Sequence, residues 1–310
     1  MEELKENTVN QKQDHTAKVK FTGEADILTR ATVGDARIYV ARTTRLVRKL
    51  SLRHQTSHLA TAALGRTVTG ALLLAATMKN EEGVGIKIAG DGPIEGITGE
   101  AQGGTARGYV GNPNVYLPPK NGHLDVGGAV GSGTISVTRY TANAKPFTGT
   151  AELIDGEIAD DLTKYLFTSE QTPSSVGLGV LVDEKGDVQA AGGWFIQALP
   201  NCSEETLEQL DKNVRHTPYI SSLIDMGFTP ERIIRMLGKD MQVEILDSYP
   251  LHFGCRCSRE RVEDVLKTLP EKELSQLAQD PKTEVTCPYC NARYEFLQEE
   301  MLTLAQKAKK

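Results

Sequence analysis

Cysteine is nearly absent from this sequence, and where it occurs it is confined to the end. The 310-residue chain has five cysteines, all after residue 200. A count that is both small and odd does not build the disulfide framework of a secreted protein. Glycine is missing from the opposite part: 25 of the 29 glycines lie between residues 26 and 200, and only three lie beyond. Positive charge is not in excess, since 35 Lys and Arg face 41 Asp and Glu for a formal net charge of −6. That balance argues against a dedicated nucleic-acid binder, which carries a basic stripe. Long apolar runs are lacking too. The most apolar stretch, residues 61–78, is interrupted by Arg66, two glycines and several threonines, whereas a spanning helix needs ~18 or more uninterrupted apolar residues. The opening MEELKENTVNQKQDHTAKVK has no apolar core of a secretory signal and reads as a polar arm over residues 1–25. These absences predict a cytoplasmic, reducing setting, with no membrane and no nucleic acid as partner.

What is present divides in two. A length of 310 residues suggests about two domains, and 39% hydrophobic with 25% charged residues fits a globular chain. From Asp26 to about residue 200 the pattern is mainly that of strands. Ile38 and Val40 alternate with Arg37 and Tyr39, and Val84, Ile86 and Ile88 alternate with Gly85, Lys87 and Ala89. Gly90-Asp-Gly-Pro93 is a turn signal. Helices interrupt the strands at 43–53, from Ser57 onward with small residues suited to close packing, and at 158–167. Without strict strand–helix–strand alternation, this predicts an α+β domain with a mainly antiparallel sheet. After Pro200 the period becomes helical. Ser203 can cap one helix, residues 219–226 form a second, and Thr229-Pro230 opens a third that Gly238 closes. Residues from 201 to about 250 therefore read as a compact helical segment, too small to hold a large core alone.

The strongest chemical signal follows it. Cys255-Arg-Cys257 and Cys287-Pro-Tyr-Cys290 are two close pairs of thiols. Such pairs can converge on one tetrahedral zinc, which takes four thiolates at ~2.3 Å. Residues 255–310 then form a zinc domain, with helices at 259–266 and 271–278, a strand around Tyr294–Phe296 and a final helix from Gln298. Two readings of the metal stay open at this point. It can be a passive staple for a domain too small to be securely stable alone. Or the one-residue gap of Cys-x-Cys can make it a switch, because two thiols that close can also pair as a disulfide, which removes the ligands and their folding energy.

Phe253-Gly-Cys-Arg-Cys-Ser-Arg-Glu-Arg261 with Cys287-Pro-Tyr-Cys-Asn-Ala-Arg-Tyr-Glu-Phe296 resembles the redox domain of the 33-kDa chaperonin (heat shock protein 33) family. Upstream, Ala41-Arg-Thr-Thr44, Gly90-Asp-Gly-Pro-Ile94, Gly108-Tyr-Val-Gly-Asn-Pro113 and Thr168-Ser-Glu-Gln-Thr-Pro-Ser174 are similar to its sheet domain, so the likeness spans about residues 26–310. The resemblance implies an ATP-independent holdase of the stress response. One zinc per chain sits on Cys255, Cys257, Cys287 and Cys290 in the reduced, inactive form. On that resemblance, oxidation joins Cys255 to Cys257 and Cys287 to Cys290, releases zinc, unfolds a small helical linker at residues 201–254, favours a homodimer and exposes a surface for unfolded client proteins. Residues 26–200 would be the client-binding and dimerisation domain. Cys202 matches no switch cysteine and reads as a small, partly buried residue.

Other signals weigh less. His54 and His58 are four apart but lack the glutamate of a zinc-protease helix, and Ser57 splits them. Gly90-Asp-Gly92 reads as a hairpin turn rather than a phosphate loop. No nucleophile–base pair marks a catalytic centre, so the chain is read as a non-enzyme. The alternative from another class is a nucleic-acid or ribosome-associated zinc-ribbon protein, which the acidic balance disfavours.

Overall fold

The structure is a computed structural model that describes residues 25–79, 81–142 and 144–308, so the N-terminal arm lies almost wholly outside the described residues. The chain begins with strands β1 (Ile27–Val33) and β2 (Ala36–Arg42), then helices α1 (Thr44–His54) and α2 (His58–Ala75). Strands β3 (Gly83–Gly90), β4 (Ile97–Gln102) and β5 (Thr105–Val110) follow, then a short α3 (Val126–Val130). Next come β6 (Gly133–Tyr140), β7 (Phe147–Glu152), α4 (Ala159–Ser169), β8 (Ser174–Val182) and β9 (Val188–Ala198). The sequence reading did not anticipate α3, whose five residues are too short to show a helical period.

These elements build two sheets around α2. One has the order β8-β9-β2-β1 and the other β5-β4-β3-β6-β7, with every one of these neighbours antiparallel. The α+β expectation with a mainly antiparallel sheet therefore holds. Helix α2 starts where Ser57 accepts a hydrogen bond from the Ala60 amide, and sixteen of its eighteen residues are buried. By length and composition α2 does qualify as a candidate membrane span, contrary to the sequence reading, but here it is a core helix. Its small residues allow this. A Cβ on Gly65 would lie 2.7 Å from Val47 and 2.8 Å from Val180, and one on Gly70 would lie 2.7 Å from Leu162.

Strand β2 is buried on both faces, and the two faces feed different cores. Tyr39 and Ala41 join the large core around α1 and α2. Ile38 and Val40 join a second core that is completed by the linker. That linker contains α5 (Glu204–His216), α6 (Ile220–Asp225) and α7 (Pro230–Leu237). Ser203 accepts from the Thr206 amide and Thr229 from the Arg232 amide, so two helices start where local capping chemistry puts them. Leu210, Ile220, Leu223, Ile233, Ile234 and Leu237 press onto Ala31, Val33, Ile38, Val40, Trp194 and Ile196 of the sheet.

The linker is not helical to its end. Residues Val243–Pro250 form strand β10, antiparallel to β1, and His252–Phe253 form β11, parallel to β5. Only Val243 and Ile245 alternate inward before the pattern is lost to exposed residues, so the local period is weak. The open edge of β1 supplies the hydrogen-bonding partner that makes this segment a strand.

The remaining residues form a separate small unit. It contains α8 (Arg259–Leu266), α9 (Glu271–Leu277), the antiparallel pair β12 (Lys282–Thr286) and β13 (Arg293–Leu297), and α10 (Gln298–Ala308). Among the described residues its own core is small: Leu266, Leu274, Ala278, Phe296, Met301, Leu304 and Ala305 are buried, with Val262, Leu269, Leu277, Val285 and Tyr294 packed against them.

Candidate metal centre

The four cysteines predicted as ligands meet in one place. Cys255 follows β11, and Cys257 precedes Ser258, which caps α8 by accepting from the Arg261 amide. Cys287 directly follows β12. Its amide donates to the Ala292 carbonyl, and the Asn291 amide donates back to the Cys287 carbonyl. Asn291 takes the left-handed conformation (φ 55°) that this tight turn needs, a conformation asparagine tolerates better than most residues. The turn brings Cys287 and Cys290 to the same side.

All four Sγ atoms lie within 4.8 Å of one another. Cys255 Sγ is 3.8 Å from Cys287 Sγ, and Cys257 Sγ is 3.3 Å from Cys290 Sγ. Zinc–thiolate bonds of ~2.3 Å in a tetrahedron set sulfur–sulfur edges of ~3.8 Å. The donor set and its spacing therefore fit a four-thiolate zinc site with no open position. Cys287 and Cys290 are buried, while Cys255 and Cys257 are partly exposed. Cys202 lies outside the cluster, just before α5, with its thiol near the Ser203 carbonyl.

The surroundings make the thiols unequal. Burial pushes Cys255 up, but hydrogen bonds from the backbone and thiol of Cys257 and from Arg107 outweigh it and bring the group down to about 7. Burial raises Cys287 and Cys290 instead. Cys255 is thus more readily ionised than either, which favours both metal ligation and nucleophilic reaction with an oxidant. The Tyr294 hydroxyl donates to Cys257 Sγ at 3.1 Å. That bond, with burial, pushes the phenol up to about 12.

Sequence reasoning missed the groups that reach the centre from the sheet unit. Arg107 of β5 lies 3.6 Å from Cys255 Sγ through Nη1. Arg53 Nη1 donates to the Cys290 carbonyl at 3.2 Å, and the His54 ring nitrogen lies 3.2 Å from the Tyr289 carbonyl. Nothing local marks them, since they are separated from the cysteines by well over a hundred residues. The His54/His58 pair is indeed divided by a helix boundary, with His54 ending α1 and His58 starting α2.

Residues 26–297 match the sequence profile of the family described as Hsp33 protein. The chain belongs to the Hsp33 family. A 33 kDa chaperonin of Desulforamulus reducens is 44% identical over 288 residues, which cover 91% of this chain and 98% of that protein. One from Listeria monocytogenes is 40% identical over 293 residues, covering 92% of this chain and all of that one. Among solved structures, the crystal structure of the 33 kDa chaperonin (heat shock protein 33 homolog) from Thermotoga maritima matches with a TM-score of 0.84 at 34% identity, over 93% of this chain and 100% of that one. Membership of the Hsp33 family makes this a chaperone-family chain, and its four-cysteine cluster fits zinc and redox chemistry.

Proposed function

We propose that this chain is a redox-switched, ATP-independent holdase, zinc-bound and inactive when reduced. The observation that carries the reading is the convergence of the four sulfurs within 4.8 Å. Cys255, Cys257, Cys287 and Cys290 are the residues that would hold one zinc ion per chain. Bound zinc supplies folding energy, on the order of 10–16 kcal/mol in small structural sites. The small core of the C-terminal unit makes it dependent on that contribution.

Oxidation acts on the sulfurs. Each disulfide forms one S–S bond from two cysteine thiolates, releasing two electrons. A peroxide takes those two electrons with two protons from solvent, its O–O bond breaks, and it leaves as two waters. With Cys255 joined to Cys257 and Cys287 to Cys290, no thiolate remains to bind metal. The C-terminal unit then loses its clamp, and the linker loses a folded neighbour. Release of the linker uncovers the sheet face of Val33, Ile38, Val40, Trp194 and Ile196, which its helices cover in the reduced form. Exposed apolar surface of that kind suits unfolded client proteins and a second copy of the chain, hence a homodimer on oxidation. The working division is a 26–200 client-binding and dimerisation domain, a 201–254 linker and a 255–310 switch domain, in the cytoplasm. The zinc-ribbon alternative has less support. Arg53, Arg107 and Arg259 near the centre are each bonded to protein groups rather than forming a free basic face.

The test is client aggregation. Peroxide-treated protein should suppress light scattering from a thermally unfolding client, and reduced protein should not. Equal suppression by both forms would sink the switch.

A further inference from the structure

The second cysteine pair is held against the sheet unit by a side chain that the metal chemistry does not require. Tyr289 lies between Cys287 and Cys290, in the loop whose shape those two ligands set. Its hydroxyl donates to Glu100 Oε1 at 2.5 Å. The Arg107 guanidinium lies over its ring, 4.0 Å from the centroid, and Tyr109 meets it edge-on at 5.1 Å. These three residues form one receptacle. Glu100 and Arg107 are directly opposite each other on β4 and β5, and Tyr109 is two residues along β5 on the same face. Glu100 Oε2 accepts from Arg107 Nε at 2.9 Å and Nη2 at 2.6 Å, which fixes both side chains before Tyr289 arrives. Both are mostly buried, 18% and 17% exposed, so the contact is shielded from water and salt.

Arg107 also touches the first pair, through Nη1 and Cys255 Sγ. One guanidinium therefore contacts a sulfur of the first pair and the tyrosine held between the cysteines of the second. Neighbouring contacts act in the same sense. Asn291 Nδ2 donates to the Arg53 carbonyl at 2.7 Å, and Arg256 bonds to Gln102. The two cysteine pairs are thus docked separately on the sheet unit, the first along β5 and the second through Tyr289 and the end of α1.

We infer that Tyr289, seated on Glu100, Arg107 and Tyr109, is a latch that couples the state of the four-cysteine centre to docking of the C-terminal unit. The inference rests on the four-thiolate reading of the centre. Coupling of this kind is reciprocal: if a closed loop favours the seated tyrosine, then the seated tyrosine favours the closed loop and tightens its hold on the metal. Where the tighter hold comes from a seated loop that must open before metal leaves, transfer to a chelator slows with it. Only residues 251–254 separate β10 of the linker from the first cysteine, so undocking is passed on to the strand that edges β1. Tyr289, Glu100 and Arg107 are positioning residues, not ligands.

The experiment uses the full, reduced, zinc-loaded chain and the variants Tyr289→Phe, Glu100→Gln and the double variant. Exposed Tyr116→Phe is the control. Zinc transfer to a chromogenic chelator is followed without oxidant, which makes the result independent of the redox switch. Loss of a hydrogen bond to a charged partner predicts about tenfold faster transfer in each single variant. The double variant should be no faster than Glu100→Gln alone, because that change already alters the acceptor of the Tyr289 hydroxyl as well as the Arg107 pair. Amide hydrogen exchange over residues 104–109 and 286–292 should quicken in the variants, a readout that needs no metal. Transfer rates within about twofold of the parent, with unchanged exchange, would overturn the latch. If the parent keeps zinc when oxidised, the switch fails, but the chelator arm still decides the latch. If the parent binds no zinc, the four-thiolate reading fails and exchange alone decides whether Tyr289 governs docking.

Discussion

Leu237→Ala in the reduced protein is expected to free the linker without altering a cysteine. Leu237 ends α7, is fully buried, and belongs to the second core with Val33, Ile38 and Val40. Truncating a buried leucine costs ~2–5 kcal/mol, and ~3 kcal/mol raises the population with the linker off the sheet by about two decades. The chain contains a single tryptophan, and it reports on this event. Trp194 is 8% exposed and shares its core with Ile220, Leu223 and Ile224 of α6. Across the strand pair it faces Gly177, where a Cβ would lie 2.2 Å from the indole. Full burial of such a ring removes ~150–250 Å² from water, and uncovering about half of it, the sheet side staying packed, costs about 2–3 kcal/mol at 25 cal/mol per Å². A face that costly to expose has a strong tendency to bind client or a second copy. The assay is tryptophan emission with acrylamide quenching. Oxidation of the parent should shift emission to the red and raise quenching several-fold. Leu237→Ala should show part of that change while still reduced and zinc-loaded, with matching client holding. Leu246→Ala, at an exposed position in β10, should show none. If oxidation strips zinc and starts client holding while Trp194 stays as shielded as in the reduced protein, linker release is not how the binding surface is made.

Other outcomes follow from single contacts. Cys255→Ser with Cys257→Ser should abolish tight zinc binding and melt the C-terminal unit while the sheet unit keeps its transition; full metal affinity in that variant would refute the four-thiolate assignment. Burial raises the Asp26 carboxyl from 3.8 to about 6, although the Arg45 and Leu46 amides it caps pull the other way. A raised acid pKa contributes stability below the unfolded value that is lost as pH rises through the folded one. Asp26→Asn should therefore gain on the parent by ~2 kcal/mol between pH 4 and 7 in urea unfolding, and a pH-independent difference would contradict this. Gly65→Ala should destabilise the sheet unit by ~1–3 kcal/mol, read from its thermal midpoint, because the new methyl group meets Val47 and Val180.

Much of this chain was legible where the signal was local. Ser57, Ser203 and Thr229 cap helices because a side-chain oxygen reaches an amide three residues on, whatever the rest of the fold does. The two cysteine pairs were legible for the same reason, since chelate spacing is a property of short segments. Strand β10 was not, because its hydrogen bonds belong to β1, more than two hundred residues earlier. The double burial of β2 was also hidden. Alternation predicted one inward face, that of Ile38 and Val40; the linker helices cover it, while Tyr39 and Ala41 on the opposite face pack into the large core.

The sequence by itself determined the order of the parts: a glycine-rich α+β body, a mostly helical segment, and four thiols in two close pairs. Short-range chemistry is enough for that. The tertiary structure alone decided which sheet face the linker covers, and that Arg107, Glu100, Tyr109 and the end of α1 lie against the cysteine centre. Those contacts join residues far apart in the chain. They exist only once two separately packed units are docked, so no local pattern can encode them.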